Sequence, residues 1–358
     1  MKTTRRNLLR NFGLSSAALS MSGLLPSVAK ADVPPKSASP WKIKPLTPFS
    51  ADAVNLVAGL EMRLLIAWDD PINEKGERFG SNNDYIAFIP TNDAKTEGVM
   101  WVNHESLTPI LVSGRTLAQA PTKEQVIKEQ MCVGGSILRV RKESKTWQIV
   151  TTDPLNRRID ARTEIPFAGG LKVAGSKTAI GTLGNCGGGV TPWKTILTCE
   201  ENYDDYYGEV EFDSKAKNRR VSKSTKYGWD KHFDHPPEHY GWVTEVDPMT
   251  GAAKKQTTLG RFAHEGATAI QAKDGRCVVY SGDDDDNRCL YKFISDKPGS
   301  LESGTLYVAS LALRKWIPLE IDEHEVLKRN FSDQLDVMIR CRQAAVAVGG
   351  SLLDRPEG

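Results

Sequence analysis

Short apolar runs separated by compact turns recur along most of this chain, and that recurrence narrows the fold class before any single residue is weighed. Residues 137–140 turn through Lys142-Glu143-Ser144-Lys145 into 147–150, and residues 242–246 turn through Asp247-Pro248-Met249-Thr250-Gly251 into a run ending near Leu259. Residues 267–271 turn at Lys273-Asp274-Gly275 into 277–281, and 290–294 is followed by 304–311. Strands this short, punctuated this often, predict an all-β sandwich, barrel or propeller. A β-propeller is preferred, because the candidate ligand residues fall at strand ends and loops throughout the chain and a propeller gathers such loops around one axis. Helical patterning is confined to two segments, read as short helical insertions. One is 122–131; the other is 323–343, where Leu335 stands eight residues, or two four-residue steps, after Leu327 beside Val326, and Met338 and Cys341 follow at three-residue steps, as one amphipathic helix or two would place them.

The amino terminus carries an address. Thr4-Arg5-Arg6-Asn7-Leu8-Leu9-Arg10 resembles a twin-arginine export signal, followed by a weakly apolar run over 12–25 and a small-residue site at Ala29-Lys30-Ala31. The expected organisation is a signal peptide over 1–31, a Pro/Ser-rich tether over 32–48 and one propeller domain over 49–358. The expected partner is the twin-arginine export machinery, and the expected location is the periplasm or beyond. No other segment approaches the ~20 apolar residues of a membrane span, so stable membrane insertion is not expected. The whole chain has 47 basic and 45 acidic residues. Five of the basic residues and no acid lie in 1–31, which leaves a mature charge of −3. That argues against nucleic acid as a partner and leaves small phosphorylated substrates open.

Residues 184–203, GNCGGGVTPWKTILTCEENY, hold most of the chemistry: a cysteine in a glycine loop, a short apolar strand, then two adjacent carboxylates. Thiolate and carboxylates together suit a metal site, since borderline metals accept sulfur and hard ones want oxygen. Strand alternation sends Glu200 and Glu201 to opposite faces without saying which one meets a site. Asn103-His104-Glu105 follows an apolar strand, and His264-Glu265 repeats the pair after Arg261. Arg261 offers a planar donor fork to a phosphate or carboxylate. Residues 282–287, GDDDDN, crowd four carboxylates and suggest calcium, although the spacing of an EF-hand loop is absent. His232, His235 and His239 are read as loop histidines, because Pro236 and Pro237 forbid a helix that would align them. Six cysteines in an exported chain invite a disulfide reading, which is weakened here because a chain folded before export forms its core in a reducing compartment. No Gly-x-Ser-x-Gly elbow or Walker loop occurs, so serine-hydrolase and nucleotide-binding readings lack support.

Taken in order, NHE at 103–105, GNCGGG at 184–189, CEENY at 199–203, GRFAHEGA at 260–267, GDD at 282–284 and DRPE at 354–357 resemble the PhoX-type alkaline phosphatases. The resemblance implies twin-arginine export, a β-propeller holding ferric iron and calcium around a bridging oxygen, and hydrolysis of phosphate monoesters. It implies Cys186 as the thiolate on iron. Glu105, Glu200 or Glu201, Glu265, Asp283, Asp284 and Glu357 become carboxylate ligands. Arg261 is implied to hold the phosphoryl oxygens, with Asn103 and Cys186 beside it in the catalytic set. Chains of that family continue past DRPE with further strands whereas this one stops at Gly358, so the propeller is expected to be incomplete at its C-terminal end. A calcium-stabilised propeller that binds without turnover is the alternative, and a calcium lactonase is a third reading in which Cys186 has no role.

Overall fold

The computed structural model describes residues 46–48, 50–51, 53–212, 219–222 and 225–356. The export signal, nearly all of the tether and Glu357 lie outside the described residues. By its internal contacts the chain divides into Met1–Met62 and Arg63–Gly358. The described residues of the first unit contain neither helix nor strand.

In the second unit strand dominates. The first sheet is an antiparallel meander of β1 (Asn83–Pro90), β2 (Glu97–His104), β3 (Gly134–Glu143) and β4 (Thr146–Ile149), with β5 (Arg157–Ile159) also paired to β3. The hairpin between β3 and β4 closes where Ser144 takes a left-handed conformation, φ 56°, the kind of position a tight turn demands. A two-stranded ribbon of β6 (Glu164–Pro166) and β7 (Thr178–Ile180) follows. The second sheet contains β8 (Asn185–Val190) and β9 (Ile196–Glu200). After the hairpin of β10 (Glu209–Phe212) and β11 (Arg219–Ser222), it adds β12 (Val243–Val246) and β13 (Ala253–Gln256), in the order β13-β12-β9-β8. In the third sheet β14 (His264–Gln271) and β15 (Cys277–Asp283) continue past β16 (Asp286–Arg288) into β17 (Leu290–Ser295), β18 (Gly304–Ser310) and β19 (Lys315–Pro318). Strand β16 pairs instead with β20 (Leu353–Asp354). No sheet closes on itself among the described residues.

Among the described residues helices are few and short: α1 (Pro109–Val112), α2 (Lys123–Gln130), α3 (Asp204–Tyr207), α4 (Glu325–Asn330), α5 (Gln334–Ile339) and α6 (Cys341–Ala347). Helix α2 begins in a reciprocal box in which Thr122 accepts from the Gln125 amide and the Gln125 side chain accepts from the Thr122 amide. The patterned segment 323–343 forms three pieces rather than one helix or two. Phe331 is extended at the end of α4, Asp333 caps α5 through the Asp336 amide, and Arg340, φ −103° and ψ 37°, leaves the helical region before α6 starts. The apolar residues of these helices, Leu327, Val337, Met338, Cys341, Ala344 and Ala345, join one core with Trp242, Phe262, Tyr291 and Phe293.

The second and third sheets meet through glycine. A Cβ on Gly187 would strike the Gly266 amide nitrogen, and one on Gly189 would strike the Ala267 carbonyl oxygen. The backbones of β8 and β14 therefore approach more closely than any side chain would permit. Gly188 faces the other way, where a Cβ would meet the ring of Tyr85 on β1. The glycine run thus brings the starts of β1, β8 and β14 together.

Candidate metal centre

Each of those three strand starts carries a register irregularity: between Asn83 and Ile86 in β1, between Asn185 and Gly188 in β8, and between Glu265 and Thr268 in β14. A bulge inserts a residue outside the ladder and re-aims its neighbours. Here the residues at or beside the bulges are Asp84, Cys186 and Glu265, and they converge. The Cys186 thiol donates to Asp84 Oδ2 at 3.2 Å and to Glu265 Oε2 at 3.3 Å.

Two overlapping groups form around this contact. Ligand atoms of Glu105, Cys186 and Glu201 all lie within 4.8 Å of one another, and so do those of Glu201, Glu265 and Asp284. Glu201 is common to both. Five residues that the motifs singled out across 180 positions of sequence are thereby brought to one place. The Glu105 carboxylate accepts from Asn202 Nδ2 at 3.4 Å.

The electrostatics follow from the crowding. Burial raises the Cys186 thiol far above its ordinary range, and the Asp84, Glu265 and Glu201 carboxylates raise it further. Burial and then the Glu265 charge push Glu201 up, and burial and then Asp84 push Glu105 up. Asp284 moves the other way, because Arg355 grips it with Nε at 2.6 Å and Nη2 at 2.5 Å.

Alternation explains which member of each motif points inward. In both His-Glu pairs the histidine turns into the interior: His104 bonds Asn83 Oδ1 and Ser136 Oγ, while His264 bonds Ser281 Oγ and the Gly260 carbonyl. Their glutamates project into the cluster. Both imidazoles are held well below the usual histidine range by burial, His264 at about 3.

Several expected roles need correction. Glu200, given as an alternative to Glu201, is fully buried and bonded to Lys255 Nζ at 2.5 Å and to the Gly241 and Trp242 amides. Arg261 is also buried: its guanidinium donates to Glu209 Oε1 at 2.7 Å and to the Tyr240 and Pro237 carbonyls, and lies over the Tyr203 ring. It is engaged in the interior instead of presenting a fork to a ligand. Asp283 is clamped by both Arg342 Nε and Nη2, at 2.9 and 2.6 Å, while its neighbour Asp284 belongs to the cluster. The acidic run is thus largely shared among arginines, with Asp285 on Arg288. Asn103 holds the loop: its amide nitrogen donates to the Cys186 and Gly187 carbonyls at 2.6 and 2.8 Å, and its oxygen accepts from Trp101 Nε1 and Thr198 Oγ1. All six cysteines are free thiols. His232 and His239 each bond a backbone carbonyl.

Asp84 escaped sequence reading. It stands alone in an asparagine-rich turn with no motif around it, and only the packing of β1 against β8, strands of two different sheets, places it against Cys186.

No curated protein matches the chain. Among solved structures it is similar to Pseudomonas fluorescens PhoX in complex with vanadate, a transition state analogue, with a TM-score of 0.77 and 30% identity over 88% of this chain. The match spans 65% of that protein's length. The sequence profile described as alkaline phosphatase PhoX matches residues 41–358. This chain belongs to the PhoX alkaline phosphatase family.

Proposed function

We propose that this protein is an exported phosphatase that hydrolyses phosphate monoesters at a centre of ferric iron and calcium, carried on a propeller-type arrangement of sheets. The observation that carries the reading is the shared Glu201, which joins a sulfur-containing group to an all-oxygen one.

The donor set fits metals. Acids and a thiol crowd together with their protons held on by burial and like charge, and a cation reverses that preference. Glu105, Cys186 and Glu201 would hold iron, which accepts a thiolate, while Glu201, Glu265 and Asp284 offer calcium the oxygens it requires. Bound there, such ions supply charge to polarise a phosphoryl group and offset the negative charge that builds on its oxygens.

The chain's own residues prepare the site. Asn103 fixes the carbonyls of Cys186 and Gly187, so the thiol keeps its direction. A proton rests on Cys186 Sγ between Asp84 and Glu265 until the thiolate is needed. Asn202 orients Glu105. The membership of the family and the vanadate bound by the similar protein support phosphoryl chemistry. Residues 4–10 support twin-arginine export to the periplasm or beyond, and among the described residues no helix is long and apolar enough to cross a membrane. Three antiparallel meanders that deliver strand ends to one cluster support the propeller reading.

The test is hydrolysis of a chromogenic phosphate monoester by the exported protein, beside Cys186→Ser and Glu201→Gln. Removing a residue that only hydrogen-bonds to a metal ligand typically costs about 10–100-fold, so losing a ligand itself should lower kcat/KM by more than ~100-fold. Full activity in both variants would refute the assignment of the centre.

A further inference from the structure

Next to Glu201, and pointing the opposite way, is a charge pair whose two side chains are both wholly sealed from solvent. Glu200 and Lys255 are each 0% exposed and meet at 2.5 Å. Lys255 also lies 4.8 Å from the centre of the Tyr240 ring. Glu200 gathers more than this one partner. Its Oε2 accepts from the Gly241 and Trp242 amides at 2.9 and 3.0 Å, and its Oε1 accepts from the Leu183 amide at 3.4 Å as well as from Lys255. One carboxylate therefore ties β9 to the start of β12, to β13 and to the segment that leads into the Cys186 loop. The next peptide continues the lock, with the Glu201 amide donating to the Gly184 carbonyl at 2.8 Å.

A buried pair of this kind is a poor source of stability, because desolvation of both charges offsets most of their attraction. It is a good source of direction. A carboxylate held by four donors has no freedom to rotate, and the residue that follows it is the one shared by both candidate metal groups.

We infer that the Glu200–Lys255 pair is a positioning hub that sets the direction of Glu201 and so the calcium affinity of the centre. The inference rests on the metal reading given above. Neither residue of the pair touches the cluster, and both act through Glu201.

The experiment is calorimetric titration of calcium into the metal-depleted full-length protein. The main variant is Glu200→Gln/Lys255→Met, which conserves volume and leaves no unpaired buried charge. Circular dichroism checks that it folds. The double variant should bind calcium at least 10-fold more weakly, and adding Glu201→Gln to it should cost little more, although Glu201→Gln alone is costly; groups acting as one unit are non-additive. An Arg340→Met control, which removes another buried cation, held by Asp336, should keep wild-type affinity. Wild-type affinity in the double variant, full additivity with Glu201→Gln, or an equal loss in the control would each overturn the hub. A wild-type protein that binds no calcium would overturn the metal reading itself and the hub with it.

Discussion

At the scale of single residues, sequence neighbours meet opposite fates because the backbone alternates. Glu200 is neutralised by Lys255 in the interior while Glu201 faces Glu265 and Asp284. His239 shows what interior placement does to a titrating group. Its Nε2–H donates to the Val173 carbonyl at 3.1 Å and its ring edges onto Phe167. Burial, aided by the Lys255 charge, lowers its pKa to about 4. In the unfolded chain an ordinary histidine near 6.5 takes up a proton first, so between pH 6.5 and about 4 the unfolded state binds more protons and stability falls as pH falls. Above pH 6.5 this contribution is fully present. A His239→Gln variant should lose less stability than wild type across that window, by on the order of 2 kcal/mol, as read from urea midpoints at pH 7 and pH 4.5.

At the scale of elements, the approach of β8 to β14 is the least tolerant feature. Gly189 is buried, and a Cβ there meets the Ala267 carbonyl oxygen, which belongs to the backbone and cannot swing aside. Gly189→Ala should cost about 1–3 kcal/mol by overpacking. Gly170→Ala, with nothing near its Cβ but a left-handed φ of 68°, should cost at most about 1 kcal/mol; chemical denaturation of the two variants checks the order. The hairpins were legible in the sequence because each turn carries its own chemistry. Asp247 accepts from the Met249 amide and from Thr250 Oγ1, and Gly251 supplies φ 78°. The breaks among α4, α5 and α6 were not legible, since they depend on Phe331 leaving the helix and on Arg340 reaching Asp336 and the Asn330 carbonyl. For the site, the motifs revealed which residue types mattered but not their facing. Asp84 needed a neighbouring strand to acquire a role, and Arg261 lost its expected one to Glu209, a partner that no local pattern announces.

At the scale of the whole molecule, the centre draws on residues from 84 to 284, and no local segment contains it. Its members become neighbours only once β1, β8 and β14 have docked across the glycine run. Such long-range closure is slow, since the chain loses loop entropy before the contacts form. A cation that requires the finished cluster finds no partner in the folding transition state. It belongs instead to the native side of the barrier, where added stability appears as slower unfolding. Calcium should therefore lengthen the unfolding half-time severalfold in stopped-flow denaturant jumps and leave the refolding rate within about twofold. Equal acceleration of refolding would mean that the centre forms early. If calcium behaves in this way, the glycines that let three strands meet give the protein a late-closing lock, one that adds nothing to the speed of folding and lengthens the life of the folded chain.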